Sequence, residues 1–312
     1  VHAHSVVPDK DSLYLAALEK LRTRVPEDSC WSEVTTVIAQ WHHEQSVKYD
    51  RLAGDAWKNE KRTARDLCNE AIATFPGSFG AQQAAALKFA LEQPAVNVQC
   101  ETATPPDQAF KVAVRYTNTS RVWLRIVKDP EELGRERRWD HDHGLWLTQQ
   151  KPVREWSVDL PDDGDLNEHL AELPIDALPL GRYSILISNA AEFTAKRDVI
   201  AHAPVQVTRL SLVERRVRNE LDLVVLDRWT GVPQPGVKVI LFADNQRAQE
   251  LARMGEAITD VEGRPSPKLL GANGRYSIRL EQGEDQWSTS YGYAWWGGEQ
   301  GITDSLRTFL FT

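Results

Sequence analysis

The chain has 312 residues, of which 41% are apolar, and it carries a formal net charge of −8. This length suits two or three domains with ordinary hydrophobic cores. The acidic balance, without a clustered basic face, argues against a nucleic-acid partner. No window of about 18 consecutive apolar residues occurs, so the sequence predicts no transmembrane segment.

Residues 1–95 form the first predicted domain, a helical region. Apolar residues recur at helical spacing in four segments, which begin near Asp11, Asp28, Gly54 and Phe79. Pro76-Gly77 stops the third helix, and the fourth ends before Pro94. The turn between these two resembles that of a tetratricopeptide-like helical hairpin. Because no clean repeat of about 34 residues follows, we expect a helical hairpin and not a solenoid.

The second predicted domain, residues 96–207, changes from helical to alternating periodicity. Strands are predicted over Val96–Cys100, Phe110–Tyr116, Val122–Ile126, Leu145–Leu147, Val153–Leu160, Tyr183–Ile187 and Val205–Leu212, the last of which continues into the next domain. Strand signals about every ten residues, joined by Gly, Pro and Asp turns, indicate an antiparallel sandwich of immunoglobulin-like type.

The third predicted domain, residues 208–312, repeats this pattern as a second sandwich. An apolar run at 221–226 and an alternating run at 237–241 flank a break rich in Gly and Pro, which predicts strand, connection and strand. A further strand begins at Gly274. The fold class is therefore mostly β with an α-helical N-terminal region and two immunoglobulin-like antiparallel β-sandwiches in tandem.

Two sequence motifs in this domain carry a family resemblance. They are Asp227-Arg228-Trp229-Thr230-Gly231-Val232-Pro233 and Thr259-Asp260-Val261-Glu262-Gly263, and Tyr276 follows the second. They resemble the N-terminal part of bacterial α2-macroglobulin-like proteins, whose sandwiches are called macroglobulin domains, here of MG1 and MG2 type. In that family another strand follows near the point where this chain stops, at Thr312. We therefore expect the second sandwich to be truncated at its C-terminal end.

The resemblance implies a large secreted or periplasmic protein that inhibits endopeptidases. This chain is then a noncatalytic scaffold or interaction segment, whose partners are the downstream domains of the same polypeptide and the target proteases. An extracytoplasmic location follows, in the periplasm, at the outer-membrane surface or outside the cell. The chain starts at Val1 without a charged-then-apolar leader, so we expect any signal peptide to have been removed or not to be included in this sequence.

Many members of the family carry a reactive Cys–Gln thioester within a C-x-E-Q word. None of the three cysteines, Cys30, Cys68 and Cys100, stands in such a word. We therefore expect no enzyme activity, catalytic residue or cofactor in this chain. A Cys30–Cys68 bridge and buried free thiols are both open alternatives.

An aromatic run is the one interaction surface that the sequence predicts. Its members are Trp287, Tyr291, Tyr293, Trp295 and Trp296. In one extended strand the four odd-numbered side chains share a face, whereas the side chain of Trp296 lies on the other. Such a face suits a neighbouring domain, a sugar ring or plain core packing.

Three groups of residues have the chemistry of metal ligands, but we expect none of them to bind a metal. His141 and His143 would share a face in a strand, yet a polar loop is the expected structure there. The acidic turns Asp162–Asp165 and Asp260–Gly263 offer carboxylates to Ca²⁺ but lack the bidentate Glu of an EF-hand. We interpret both as ordinary turns.

Two alternatives to the hypothesis of an endopeptidase inhibitor come from other functional classes. Similar Thr-Gly-x-Pro and Thr-Asp-x-x-Gly words occur in carboxypeptidase-regulatory-like modules, which predicts a bacterial cell-surface adhesion or glycan-binding protein. A metal-dependent enzyme that uses His141 and His143 is the third hypothesis. Fold-level analogy does not separate the first two, because sandwiches host many functions.

Overall fold

The structure, a computed structural model, describes residues 9–129, 140–194, 197–217, 220–245, 250–266, 274–289 and 292–294. The chain is mostly β with helices at its N-terminal end, which confirms the predicted fold class. Separate hydrophobic cores lie among the helices and inside each of two sandwiches. The residue limits of the three predicted domains stay predictions.

The helical region contains α1 (Lys10–Arg22), α2 (Cys30–Gln45), a short 3₁₀ helix (Ser46–Lys48), α3 (Glu60–Thr74) and α4 (Phe79–Leu91). Small residues let these helices pack closely, and the buried ones include Ala39, Ala64, Cys68, Ala71 and Ala84. A Cβ on Gly80 of α4 would lie 2.3 Å from the Glu33 nitrogen of α2. Glycine is therefore required where these two helices meet.

The third helix begins six residues later than predicted, at Glu60. Gly54 and Trp57 have φ values of 112° and 65°, which a right-handed helix excludes. The helical apolar spacing of this segment therefore does not produce a helix before residue 60. All three cysteines are free thiols, and burial raises the pKa of Cys68 to about 11.

The first sandwich packs a three-stranded sheet against a five-stranded sheet. The first sheet has the order β1-β3-β6, with β1 (Ala95–Gln99), β3 (Phe110–Thr117) and β6 (His169–Ile175). The second has the order β2-β8-β7-β4-β5, with β2 (Ala103–Thr104), β4 (Arg121–Lys128), β5 (Pro152–Asp159), β7 (Gly181–Ser188) and β8 (Ile200–Val207). All pairs are antiparallel except β2 with β8.

The strand predicted at Leu145–Leu147 is wrong, because this segment lies in a helix, α5 (Asp140–Thr148). Leu147 is fully buried in a small cluster with Val127, Leu186 and Phe193, on the five-stranded sheet. A run of three apolar residues does not distinguish a strand from a buried helical turn. Here the apolar outward face of the five-stranded sheet stabilises a helix, because α5 covers that face.

The second sandwich packs a two-stranded sheet against a six-stranded one. The smaller sheet contains β9 (Leu210–Val217) and β10 (Glu220–Asp227). The larger has the order β13-β12-β11-β14-β15, with β16 also on β14: β11 (Lys238–Asn245), β12 (Glu250–Thr259), β13 (Pro265–Ser266), β14 (Gly274–Gln282), β15 (Asp285–Ser288) and β16 (Gly292–Ala294). The predicted strand pair β10 and β11 thus spans both sheets.

One continuous strand was predicted over Val205–Leu212, and the structure divides it into β8 and β9. Thr208 and Arg209 separate the two strands and lie between the sandwiches. Among the helices that the structure describes, none is long and apolar enough to cross a bilayer.

Candidate interdomain contact site

The joint between the sandwiches is built around the buried carboxylate of Asp285, at the start of β15. Thr208 Oγ1 donates a 2.6 Å hydrogen bond to Asp285 Oδ1, and the Arg209 backbone N–H donates one of 2.8 Å to Oδ2. Thr208 is fully buried, and Asp285 is 6% exposed. Burial strengthens such charge-assisted hydrogen bonds and makes their loss costly.

Arg228 completes this joint from the turn after β10. Its guanidinium Nη2 donates to the Leu210 carbonyl oxygen at 2.7 Å, and its backbone N–H donates to the Arg209 carbonyl oxygen. Burial lowers the pKa of Arg228, whereas the nearby carboxylates of Asp285 and Glu101 raise it. The Asp-Arg-x-Thr-Gly turn motif therefore places a cationic side chain, Arg228, at the boundary between the sandwiches.

Gln206 of β8 binds the backbone of β15 in the second sandwich. Its Nε2 donates to the Ser288 carbonyl oxygen, and its Oε1 accepts from the Ser288 N–H, both at 2.9 Å. Arg182 Nη1 donates to Ser288 Oγ at 3.1 Å. Side chains of the first sandwich thus occupy hydrogen-bonding groups at a sheet edge of the second.

A cleft of about 300 Å³ opens beside this contact. Its walls come from both sandwiches and include Lys128, Arg182, Gln206, Arg279, Trp287 and Ser288. Three of these side chains are cationic, in a chain whose formal net charge is −8. Glu284 also lines the cleft, and Arg279 pairs with Glu281 at 3.5 Å, so part of this positive charge is balanced. Cationic side chains beside an aromatic ring suit an anionic group attached to a flat apolar one.

The structure places Trp287, the first residue of the predicted aromatic surface, at this cleft. Trp287 pairs with Leu280 of β14 and packs against the core of the second sandwich. Tyr293 lies on β16 opposite Arg275. Tyr291, Trp295 and Trp296 lie outside the described residues.

The structure places Trp287 and Tyr293 on two different strands, so the condition of one extended strand is not met between these two residues. β15 ends at Ser288, where Thr289 Oγ1 accepts a hydrogen bond from the Ile278 N–H, and β16 begins at Gly292. The pairing with β14 also shifts by one residue between Trp287 and Tyr293. The unbroken alternation on which a shared aromatic face depends is therefore interrupted.

His141 and His143 lie in α5, so the loop expected for them is wrong and the shared face of a strand does not apply. His143 Nε2 lies 3.3 Å from Asp129 Oδ2, and its ring stacks on Trp146. The His141 side chain lies outside the described part. Across the described ranges, the one group of three residues with metal-ligand spacing is Asp162, Asp163 and His169.

The two acidic turns have different surroundings. Asp260 Oδ1 accepts from the backbone N–H groups of Glu262 and Arg264, which makes this turn self-contained. The turn at 162–165 contacts the helical region instead: Lys58 Nζ lies 2.8 Å from Asp163 Oδ2. The hydrogen bond from Lys58 lowers the pKa of Asp163.

Gln206, Thr208 and Asp285 were not singled out by any sequence pattern. The available signal was the pair Thr208-Arg209, two consecutive polar residues that interrupt the alternation of apolar and polar residues over 205–212. Its partner, 77 residues further along the chain, has no local signature.

No protein-family model matches the chain, and no similar sequence is found among curated proteins. The chain is similar in structure to a fragment of native α2-macroglobulin from Escherichia coli that spans domains MG0-NIE-MG1. The identity is 14% and the TM-score 0.45, over 63% of this chain and 64% of the fragment. For the NIE-MG1 fragment the identity is 14% and the TM-score 0.43, over 64% and 97%. Against the native protein determined by cryo-electron microscopy the identity is 13% and the TM-score 0.32, over 63% and 12%.

Proposed function

We propose that this chain is a noncatalytic scaffold segment of a large extracytoplasmic α2-macroglobulin-like protein that inhibits endopeptidases. The buried joint of Thr208, Arg228 and Asp285 supports this proposal most directly. It fixes one sandwich on the next, as a rigid shell of successive sandwiches requires, and it uses the Asp-Arg-x-Thr-Gly turn, one of the motifs that carry the family resemblance. The partners are then the downstream domains of the same polypeptide and the target proteases.

Protease inhibition is tested on the full-length parent protein. The parent is mixed with endopeptidases of different specificity, and residual activity is measured on a large protein substrate and on a small peptide substrate. We expect activity on the large substrate to fall while activity on the small peptide persists, because a shell excludes substrates by size. Equal activity on both substrates, with and without the parent protein, contradicts the inhibitor proposal.

A second candidate function, glycan binding, is favoured by one observation. Trp287 lines the interdomain cleft beside the cationic side chains of Arg182 and Arg279. Stacking on an aromatic ring together with charge pairing suits an acidic sugar. Quenching of tryptophan fluorescence by soluble acidic oligosaccharides, lost in Trp287→Ala and retained in Trp229→Ala, supports this function; no response from either protein rejects it.

A further inference from the structure

Residues 161–168, within the loop between β5 and β6, carry the acidic group at the boundary between the helical region and the first sandwich. Asp162, Asp163 and His169 each offer one ligand atom, and these three atoms lie within 4.8 Å of one another. Clusters of acidic residues are common on protein surfaces without an ion. A fourth residue, Asp165, distinguishes this one.

Asp165 is a buried carboxylate that the described residues satisfy only in part. The residue is 1% exposed, and its Oδ1 accepts from the Asn167 N–H at 2.8 Å and lies 3.0 Å from His169 Nε2. No hydrogen-bond donor of the described residues reaches Oδ2, which is also buried. His169 Nε2 also lies 3.8 Å from Asp163 Oδ1, so the His169 ring connects the Asp165 carboxylate to the acidic group. A buried oxygen without a donor is costly, and a bound water or a cation removes that cost.

The spacing of the oxygen-bearing side chains matches that of a loop that binds a hard cation. Asp163, Asp165 and Asn167 stand at the first, third and fifth positions of the pattern D-x-[DN]-x-[DN]. Asn167 Nδ2 donates to the Lys58 carbonyl oxygen at 2.8 Å, which identifies Oδ1 as its remaining acceptor. Glycine is absent from the sixth position, where Glu168 stands, so any resemblance to an EF-hand ends there.

We propose that this loop binds Ca²⁺ through oxygen atoms of Asp162, Asp163, Asp165 and Asn167. Oxygen donors of this kind are the ligands that Ca²⁺ prefers. In this proposal His169 is a positioning residue and not a ligand, because its Nε2 lies 3.0 Å from Asp165 Oδ1 and a hydrogen bond there orients that carboxylate.

Lys58 is the competing cation. Its ammonium group binds Asp163 Oδ2 with an N–O distance of 2.8 Å. Arg62 and Lys61 bind loop carbonyl oxygens instead, those of Asp163 and Leu166 respectively, and leave the carboxylates to Lys58 and the ion. We expect Ca²⁺ to displace Lys58 from Asp163.

Calcium titration calorimetry on the chain, after treatment with EDTA, tests the proposal. We expect one ion per chain, with a dissociation constant of about 10⁻⁴–10⁻³ M, the range of extracellular calcium modules. Asp162→Asn and Asp163→Asn each remove one charge at an exposed position and should weaken binding by about tenfold. Glu168→Gln is the matched control in the same loop, because its carboxylate pairs with Arg115 and should leave the affinity unchanged.

Lys58→Met is the second test, and it separates a cation site from a merely structural acidic loop. Loss of the competing ammonium should tighten Ca²⁺ binding, whereas a structural loop has no affinity to gain. Absence of binding heat at about 10 mM CaCl₂, well above the stated range, overturns the proposal. So does equal affinity in Asp162→Asn, Asp163→Asn and Glu168→Gln. Preferential binding of Zn²⁺ that is lost in His169→Gln overturns the assignment of Ca²⁺. None of these outcomes depends on protease inhibition by the parent protein.

Discussion

Gly263 ends the acidic turn of the second sandwich with a φ of 73°, and Gly231 has a φ of 70° in the preceding turn word. The two glycines differ in their surroundings. A Cβ on Gly263 would lie 2.4 Å from the Val225 carbonyl oxygen, whereas a Cβ on Gly231 meets nothing within 4 Å. The glycine of the Thr-Asp-x-x-Gly motif therefore allows the backbone of β10 to approach closely, and it also allows the turn itself.

This difference predicts two separate stability effects. Gly231→Ala should destabilise the second sandwich by about 1 kcal/mol, the cost of a left-handed alanine. Gly263→Ala adds a clash with backbone and should cost about 1–3 kcal/mol more. Urea unfolding of the two variants and of the unsubstituted chain measures the free energy of unfolding. Equal losses of stability in the two variants contradict the prediction.

The thiols of Cys68 and Cys100 permit a prediction about pH. Burial raises the pKa of each to about 11, with Glu101 adding to the effect at Cys100. Since only the thiolate reacts, alkylation of Cys100 by iodoacetamide should speed up about tenfold for each pH unit from 7 to 10. In urea the alkylation rate should instead level off once the pH passes 9.0, the ordinary pKa of a cysteine thiol. Mass spectrometry of chains in which Cys30 and Cys68 are serine follows this residue alone; a plateau at pH 9 in the folded protein contradicts the prediction.

At the scale of single elements, the loop at 161–168 connects two cores. Leu166 has a φ of 63° and is 8% exposed, and it packs into the core of the helical region although it belongs to the first sandwich. Asn118 adds a second contact, because its Nδ2 donates to the carbonyl oxygens of Leu91 and Gln93. The helical region is therefore attached through side chains as well as through the chain itself.

Leu166→Ala should destabilise the helical region by about 2–4 kcal/mol, since it leaves a cavity between the two cores. Leu170→Ala, on the neighbouring strand and 41% exposed, is the matched control and should change stability by less than about 0.5 kcal/mol. Urea unfolding followed by far-ultraviolet circular dichroism reports the helices. Similar losses in both variants would falsify the role of Leu166 as the connecting side chain.

The sequence predicted well those elements that depend on their own local pattern. It did not predict those elements that depend on contacts with distant parts of the chain. α4 begins at Phe79 and ends before Pro94, as its apolar spacing predicts, and β10 and β11 follow their apolar runs closely. The sequence pattern did not predict α5, which depends on an uncovered sheet face, or the break at Thr208, which depends on Asp285. For the site, the aromatic spacing singled out Trp287, which lines the cleft and packs against the core of the second sandwich, and its role as an interaction surface stays a prediction. The polar residues that surround it come from separate strands and share no motif.

At the scale of the whole molecule, the joint holds the two sandwiches in one orientation. Asp285→Ala removes the acceptor of Thr208 and of the Arg209 N–H and leaves both donors buried, which should cost about 3 kcal/mol. We expect the radius of gyration from small-angle X-ray scattering to increase as the sandwiches separate. Glu284→Ala, the neighbouring exposed acid, should change neither quantity. An unchanged scattering profile in Asp285→Ala means that other contacts fix the orientation.

The joint also sets an order of events during synthesis of the chain. Gln206 and Thr208 are made early, but their partners Ser288 and Asp285 follow 82 and 77 residues later. Contacts of such long range form slowly, because a large loop must close before they stabilise anything. We therefore expect the first sandwich to complete its own sheets while these polar side chains remain in water, and the two sandwiches to dock only after β15 has been added. On this basis newly made chains should pass through a stage in which the sandwiches still move relative to each other, and a translation pause before residue 285 should lengthen it.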